Sequence, residues 1–393
     1  MNSKVKLGIS FAIILGVIVS SNPNFNWSFL SGQDPNPDKT VSQDNSLESE
    51  TLNLGFFPNL NHAQVIIGIG NGNFNKSLTS NEEHKNITFN PHVFSSGPSL
   101  MNALYSGQLD VAYVGPDSII DGYILFGGNE FRIISGASSG GASFVVRNDL
   151  GIETVDDLGG KKFATPQLGN TQDVALRSYL VDNGYNTVDN GGNVTVVALE
   201  PGDIVSQFKN KEIDGAWVPE PVTTILTEQA NGKVFVDERD LWPDGKFVTT
   251  NIIVRTDYLS ENPDVIKKLL EAHVDETLWI NEKLTKTNNI EVDNNNDEEA
   301  KPVSAAFNKG LMNITGKTFP DNLLKEALSR IDFTFDPFSN TLVNITEDAN
   351  DLGFISMKSD WNKELLKLYD LTLLNEVLSE NGLEKIKSFN LSK

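Results

Sequence analysis

The sequence predicts an α/β protein of two lobes with a ligand cleft between them. Short apolar strands alternate with amphipathic helices along the chain, a pattern typical of mostly parallel sheets. The stretch L-D-V-A-Y-V at 109–114 is echoed by I-D-G-A-W-V at 213–218, an offset of 104 residues (213 − 109) that indicates two lobes built on one plan. Two similar strands, F-V-V-R at 144–147 and I-I-V-R at 252–255, flank the second lobe. We expect them to form the double crossing of a hinge.

Composition excludes several classes of function. The chain has 393 residues, enough for two lobes with separate cores, and a net charge of −22 that disfavours nucleic-acid binding. It contains no cysteine, which excludes disulfides, zinc–thiolate sites, cysteine nucleophiles and an N-terminal lipidated cysteine. The four histidines show no metal-ligand spacing, so we expect neither a metal nor a cofactor.

The N-terminus is predicted to be a targeting segment. Lys4 and Lys6 precede an apolar run at 7–19, which suits either a signal peptide or an uncleaved membrane anchor over residues 1–22. Residues 23–50 are polar and carry prolines, so we expect a flexible linker. The body of the protein is then extracytoplasmic, and this N-terminal segment is its only expected contact with a membrane.

The remaining chain divides into three parts. Residues 51–143 are expected to form the first part of lobe I, 144–248 lobe II, and 249–393 the return to lobe I with C-terminal helices. The acidic, Asn-rich stretch 285–299 is expected to be a disordered insertion. An exported chain can be N-glycosylated at Asn-x-Ser/Thr sequons, which here include Asn75, Asn86, Asn193, Asn313 and Asn344.

Helix starts are marked along lobe I. Alternation from Thr51 predicts a first strand, after which Asn61 is expected to cap a helix, with Gln64 completing a capping-box-like pair. Ser96 is a candidate cap before Pro98, and a helix opens at Gly115 after the strand 109–114. The small-residue loop G-A-S-S-G-G at 136–141 would let a backbone approach a ligand closely.

Lobe II repeats the arrangement of strand, loop and helix start. A short strand ends at Ala164, Pro166 and Gly169 interrupt it, and Asn170 is a good cap for a helix with an apolar stripe. Beyond residue 256 the pattern turns helical, with helices predicted at 263–279, 321–330 and 361–369.

Four helix starts, near Asn61, Gly97, Gly115 and Asn170, are expected to converge on one cleft. Ligands of α/β sheets bind beyond the carboxyl ends of the strands. Helix starts offer unpaired N–H groups and a partial positive charge there. The convergence predicts a small polar ligand that bears an oxyanion, although each start taken alone is equally an ordinary capped helix.

Three further side chains have two readings each. Trp217 either stacks on a ligand or belongs to the core, and Glu220 either accepts from a ligand N–H or is a first-turn helix acid. His62 either donates to a ligand oxygen or lies at the surface. We find no Ser-His-Asp order, metal-binding carboxylate pair or P-loop, so no enzyme is expected.

Six motifs resemble one family. They are S-G-P at 96–98, L-D-V-A-Y-V-G-P at 109–116, G-A-S-S-G-G at 136–141, A-T-P-Q-L-G-N-T-Q-D at 164–173, W-V-P-E-P at 217–221 and V-D-E-R-D-L-W-P-D-G-K at 236–246. Together they resemble the solute-binding proteins of ABC importers in the nitrate/sulfonate/taurine group, which have a type II periplasmic-binding fold. The resemblance extends over roughly residues 52–383. Unlike many bacterial relatives, this chain has no lipidated cysteine.

The resemblance implies a small solute that is captured by hinge closure and delivered to an ABC permease and its ATPase, with the protein acting as a monomer. The implied solute is a sulfonate, taurine or nitrate. Alternatives are a heterocyclic cofactor precursor such as the thiamine pyrimidine, a surface sensor without transport, and an enzyme of pyrimidine synthesis, which needs a reactive histidine or cysteines. The family motifs place ligand contacts at Ser96, Gly97, Gly115, Ser138, Gln167, Asn170, Thr171 and Glu220.

Overall fold

The computed structural model describes residues 51–79, 87–288, 301–357 and 361–387. The predicted segment 1–22, the linker 23–50, the sequon at Asn86 and most of the predicted insertion lie outside the described residues.

The described chain contains eleven strands in two sheets. The strands are β1 (Thr51–Phe56), β2 (Thr88–Val93), β3 (Val111–Val114), β4 (Phe131–Gly140), β5 (Ala142–Arg147), β6 (Lys162–Thr165), β7 (Thr195–Ala198), β8 (Gly215–Pro219), β9 (Gly232–Asp237), β10 (Val248–Arg255) and β11 (Ile331–Phe333). One sheet has the order β11-β4-β10-β3-β1-β2 and defines lobe I. The other has the order β7-β6-β8-β5-β9 and defines lobe II.

Helices connect and cover these strands. They are α1 (Ala63–Asn71), α2 (Asn73–Thr79), α3 (Gly97–Tyr105), α4 (Pro116–Phe126), α5 (Thr171–Asp182), α6 (Pro201–Lys209), α7 (Val222–Gln229), α8 (Thr256–Glu261), α9 (Pro263–Asn288), α10 (Lys301–Thr315), α11 (Asp321–Leu328), α12 (Ser339–Asp351), α13 (Trp361–Leu366) and α14 (Thr372–Glu380). The predicted α/β fold of two lobes is confirmed.

The internal echo corresponds to equivalent strands in the two sheets. β3 lies between β1, which is parallel to it, and β10, which is antiparallel. β8 lies between β6 and β5 with the same two orientations. The helices that precede β3 and β8 are separated by the same 104 residues, because α3 begins at residue 97 and α6 at residue 201. The two lobes therefore share one plan.

The two similar strands are not the crossings themselves. β5 lies wholly in the lobe II sheet and β10 wholly in the lobe I sheet. They are alike because they are equivalent: Phe144 of β5 pairs with Trp217 of β8, and Ile252 of β10 pairs with Tyr113 of β3. The chain crosses between sheets at 140–142 and again at 238–247.

Helix α9 is longer than its predicted 263–279 span and continues to Asn288. Its apolar face extends because Ile280 is fully buried and Leu284 packs against the same core cluster. Residues 285–288 are therefore helical and do not belong to a loop, which corrects the start of the predicted insertion.

Two surface properties bear on the predictions. The sequon residues Asn75, Asn193, Asn313 and Asn344 are all exposed. Among the residues with described coordinates, no helix combines the length and the apolar character that crossing a membrane requires.

Candidate functional site

Three of the four predicted helix starts have the expected caps. Ser96 caps α3, and its Oγ accepts the N–H of Ser99 at 3.4 Å. Gly115 caps α4 without a side-chain bond. Asn170 caps α5, with its Oδ1 accepting the N–H of Asp173 at 2.9 Å. These starts leave backbone donors at the carboxyl ends of strands, as the sequence indicates.

The fourth start differs from the prediction. A 3₁₀ turn, Leu60–His62, precedes α1, and its cap is Asn59, whose Oδ1 accepts the N–H of Asn61 at 3.1 Å. Helix α1 follows His62, which makes no capping bond. The cap assigned to Asn61 is wrong because the extra turn places that residue inside it.

Two glycines bring the starts of α3 and α4 together. A Cβ at Gly97 would overlap Oγ of Ser118 in the first turn of α4. A Cβ at Gly115 would lie 2.7 Å from Oδ1 of Asp117 and 3.7 Å from the carbonyl oxygen of Thr249. Only a residue without a side chain fits such close approaches. Both starts consequently surround the Asp117 carboxylate.

Asp117 joins the two lobes. The hydroxyl of Thr171, in the first turn of α5, donates to Oδ1 of Asp117 at 3.1 Å. The carboxylate also accepts the backbone N–H groups of Asp117 and Ser118. Burial nevertheless raises the pKa of Asp117 above its usual range, and its hydrogen-bond partners within the described part of the chain, which act in the opposite direction, are all neutral. The starts of α3, α4 and α5 thus meet at this carboxylate.

Asp173, in the first turn of α5, has its charge compensated within the protein. It is fully buried and receives the Thr165 hydroxyl at 2.8 Å and the N–H of Gly169 at 2.9 Å. Nε of Arg177 donates to it at 3.0 Å, which compensates its charge. The nearby Gln167 side chain is exposed, and Asn170 is partly buried.

Buried polar atoms lie along β10 and β4. Ser138 and Thr249 hydrogen-bond to each other at 3.0 Å. Asn251 is fully buried, and neither its Nδ2 nor its Oδ1 has a partner among the described residues. Its strand position is opposite Val114, the residue before Gly115. Unpaired buried polar atoms indicate a place where a ligand or water forms hydrogen bonds.

Two more buried oxygens without a partner lie toward the first crossing. Oδ1 of Asn61 is 3.0 Å from where a Cβ of Gly141 would stand, and it has no hydrogen-bond partner among the described residues. Oγ of Ser143, the second residue of β5, is likewise unpaired there. Both atoms are therefore available to a bound molecule.

Glu220 forms the second contact between lobes. Its Oε1 accepts NH1 of Arg330 at 3.1 Å, and its Oε2 accepts the N–H of Thr224 at 3.1 Å. Arg330 immediately precedes β11 of lobe I and also donates to the Thr224 hydroxyl at 3.0 Å. Burial raises the pKa of Glu220 to about 7, although Arg330 acts in the opposite direction. Its carboxylate is already saturated by protein donors.

The aromatic and histidine candidates are enclosed. Trp217 has no exposed surface: its ring stacks on Phe144 at 5.5 Å between centroids, and its Nε1 donates to Glu238 at 2.7 Å. A ligand has no open face of this ring to stack on. His62 is 2% exposed, its Nδ1 accepts the N–H of Phe57 at 3.3 Å, and burial lowers its pKa to about 3. It is therefore a neutral ring at physiological pH.

A pocket of about 200 Å³ opens between the lobes at Asp117. We call it the inter-lobe pocket. It is lined by two carboxylates, one hydroxyl, one glycine and apolar side chains: Asp117, Asp121, Thr171, Gly169, Ile120, Leu168, Val174, Ile345, Ala349, Phe354 and Ile355. A larger cavity of about 630 Å³ beside α9 and α11 includes none of the predicted contacts.

The structure thus gathers Gly97, Gly115 and Thr171 around Asp117, and Ser138 lies one contact further on, beside Thr249. Sequence reasoning missed Asp117 and Asn251, and it did not find the partner of Glu220. Asp117 carried a usable signal, since it stands in the first turn of a predicted helix start. Within the described ranges, no group of three or more His, Cys, Asp or Glu residues could hold a metal ion.

Comparison with known proteins agrees with this architecture. A candidate aliphatic sulfonates-binding protein of Bacillus subtilis is 26% identical over 295 residues, covering 74% of this chain and 78% of that protein. The taurine-binding periplasmic protein of Escherichia coli is 26% identical over 182 residues, 46% of this chain and 54% of that one.

A solved structure shows the same fold. The periplasmic nitrate-binding protein NrtA of Synechocystis PCC 6803 superimposes with a TM-score of 0.62 at 16% identity, covering 86% of this chain and 90% of that one. The model of the NMT1-like family matches residues 45–292. The chain therefore belongs to the NMT1-like family, and its two-lobed architecture is that of the type II periplasmic-binding proteins.

Proposed function

We propose that this protein is an extracytoplasmic solute-binding component of an ABC importer that captures a small oxyanion-bearing solute between its lobes. The observation that carries the proposal is the meeting of three helix starts from both lobes at the Thr171–Asp117 contact. The helix dipoles at the starts of α3 and α5 favour an oxyanion of the solute there, while the first-turn N–H groups of α4 are occupied by the Asp117 carboxylate. The names of the relatives, which are sulfonate-, taurine- and nitrate-binding proteins, support the same class.

The proposed contacts follow from that geometry. Oxygen atoms of the solute would meet N–H groups and side chains at the starts of α3, α4 and α5, where Ser96, Gly97, Gly115, Asn170 and Thr171 lie. Ser138 and Gln167 would bound the site from β4 and from the rim of the α5 loop. Glu220 closes the far side through its pair with Arg330.

Closure would use at least two contacts between the lobes. The Thr171–Asp117 and Glu220–Arg330 contacts each join residues of different lobes, so opening the cleft must break them. Rotation about the segments 140–142 and 238–247 would separate the lobes, because these are the points where the chain crosses. The closed form would then present one surface to a permease, with the N-terminal segment holding the protein at the membrane.

A direct test is to identify the small molecule that natively purified protein retains, by mass spectrometry, and to measure thermal shifts with candidate solutes. A solute at 100 times its Kd stabilises the folded state by about 2.7 kcal/mol. We expect a rise in Tm with a sulfonate, taurine or nitrate. Sodium chloride at equal ionic strength is the control for screening. The proposal of an oxyanion fails when none of these solutes raises Tm beyond that control.

A heterocyclic cofactor precursor is the second candidate. It is favoured by the unpaired amide of Asn251, which offers one donor and one acceptor as the edge of a heterocycle requires. A thermal shift with a pyrimidine and none with an oxyanion would favour it. Genes for an ATPase and a permease beside this one would separate transport from a role as a surface sensor.

A further inference from the structure

We propose that Asp117 selects the solute by accepting hydrogen bonds from a positively charged nitrogen group, which the solute places in the inter-lobe pocket. The inference rests on the proposed function and narrows it. Simple anions such as nitrate are then poor solutes, and zwitterions or cations that carry an ammonium or aminoheterocyclic group are preferred.

The lining of the inter-lobe pocket suits such a group. Its ionisable side chains are two carboxylates, Asp117 and Asp121, and no lysine or arginine lines it. The buried apolar walls come from both lobes, including Ile120 and Ile345 of lobe I and Val174 of lobe II. A small organic cation with an apolar body matches this combination, whereas an inorganic anion would meet like charge from the half-buried Asp117 and the exposed Asp121.

Asp117 lacks the partner that a buried carboxylate usually has. Its hydrogen bonds come from the Thr171 hydroxyl and two backbone N–H groups, all neutral. Burial, with the nearby charge of Asp121, raises its pKa. The guanidinium of Arg177 lies 5.6 Å over the ring of the pocket residue Phe354, and its Nε is already bonded to Asp173. A cationic ligand would supply the missing counter-charge.

Asn251 marks a separate place for a bound molecule near the strand that leads into α4, and it does not line the inter-lobe pocket. It is fully buried, its amide donor and acceptor are both unpaired among the described residues, and its strand position is opposite Val114. The next residues lead through Gly115 to Asp117 within the first turn of α4.

Isothermal titration of matched solutes tests the proposal. The first pair is 2-aminoethanesulfonate and ethanesulfonate, and the second is 4-aminopyridinium and 4-methylpyridine. The proteins are the full chain, Asp117→Asn, and the control Asp189→Asn, an equal charge change at an exposed residue. We expect the full chain to bind the amine of at least one pair about tenfold more tightly than its analogue, as a charged hydrogen bond predicts. Asp117→Asn should abolish that preference, and Asp189→Asn should retain it.

Failure of this inference is distinguishable from failure of the proposed function. Equal affinity of the full chain for both members of a pair overturns the role of Asp117 and leaves solute binding intact. Binding of the aminopyridinium pair alone supports Asp117 and overturns the oxyanion. Binding of neither pair overturns the role of Asp117, and the thermal shifts with nitrate and other sulfonates then decide the proposed function separately. Since the full chain gives the preference without any variant, the test stands even where Asp117→Asn does not fold, and thermal unfolding of each variant checks folding.

Discussion

The two lobes share one topology, but the carboxylates that follow their equivalent strands have different partners. Asp117 follows β3 and contacts Thr171 of the other lobe, while Glu220 follows β8 and contacts Arg330 of the other lobe. Burial raises the pKa of both. Glu220 has a guanidinium partner and Asp117 has neutral donors. The first is equipped to hold the lobes together, and the second is equipped to receive a ligand.

The residues around the helix starts explain the difference. At the common offset of 104 residues, Gly97 corresponds to Pro201 and Gly115 corresponds to Pro219. Glycine lets the starts of α3 and α4 approach until Ser118 and Asp117 lie against them. Proline at the equivalent positions carries a ring and no N–H donor, so lobe II cannot form the same seat for a polar group. Lobe II contributes the start of α5 instead.

The largest effect should come from removing the cation of the ionic contact. In Arg330→Met the Glu220 carboxylate, which is 1% exposed, keeps only the neutral donors of Thr224, its N–H and its hydroxyl. We expect the free energy of unfolding at pH 8 to fall by about 3 kcal/mol, the usual cost of stranding a buried charge. Urea unfolding measures it.

Arg330→Lys is the matched control, because it retains a cation without the planar fork and should lose less. A loss under about 0.5 kcal/mol in Arg330→Met would mean that Glu220 is not held as a charged group, and the contrast between the two carboxylates would collapse.

The second largest loss of stability is expected at Gly97, where the starts of α3 and α4 approach closely. Gly97→Ala places a Cβ against Oγ of Ser118, and overpacking of this kind costs about 1–3 kcal/mol. In Gly97→Ala/Ser118→Ala the obstructing oxygen is absent and the nearest remaining atom of residue 118 is its Cβ at 3.4 Å. We therefore expect the double variant to recover most of the loss in a double-mutant cycle. Additive losses would show that this contact does not set the spacing of the two helix starts.

The sequence was sufficient for the fold class and for three caps, because these depend on local residues. Ser96, Gly115 and Asn170 cap their helices through neighbours in sequence. The internal repeat was also visible in the sequence, since the equivalent strands at 109–114 and 213–218 have similar residues. The cap at Asn61 failed because a 3₁₀ turn and an α-helix begin with the same signals.

The parts of the site that escaped prediction depend on distant residues. Glu220 and Arg330 are 110 residues apart, and no local pattern joins them. Trp217 has an ambiguous direction because a strand buried on both faces lacks a polar side that would orient it. Asn251 stands in an apolar strand, where only its missing hydrogen-bond partners in three dimensions mark it.

The ionic contact should respond to pH. The pKa of Glu220 is raised from 4.5 to about 7 in the folded protein. Because this pKa is raised, protonation of Glu220 stabilises the folded protein. Its contribution to the free energy of unfolding is fully present below about pH 4.5 and is lost as the pH rises through about 7. Arg330 lowers the pKa of Glu220, so its removal raises that pKa further. The loss of unfolding free energy in Arg330→Met should therefore grow between pH 5 and pH 8 by on the order of 1 kcal/mol.

Urea unfolding of wild type and Arg330→Met at both pH values measures that growth. An identical loss at pH 5 and pH 8 would indicate that Arg330 stabilises the fold through Glu326 or Thr224 and that Glu220 has no part in it.

Breaking the Thr171–Asp117 hydrogen bond should give the smallest effect. It should also best separate a carboxylate that holds the lobes together from one that receives a ligand. Thr171→Val removes the hydroxyl that donates to Asp117 while keeping the shape of the side chain. A typical intramolecular hydrogen bond contributes about 1 kcal/mol, which here favours the closed arrangement over the open one. We expect the radius of gyration of the unliganded protein, measured by small-angle X-ray scattering, to increase.

Thr227→Val is the control, because that hydroxyl donates to the carbonyl oxygen of Thr224 within α7 and joins no lobes. Its radius of gyration should equal that of wild type. If Thr171→Val leaves the radius unchanged while Arg330→Met increases it, the Glu220–Arg330 contact holds the lobes together and the Thr171–Asp117 contact does not. Asp117 would then serve only to bind the solute, and Glu220 only to join the lobes. The two carboxylates would differ more in their roles than the hydrogen bond to Thr171 implies.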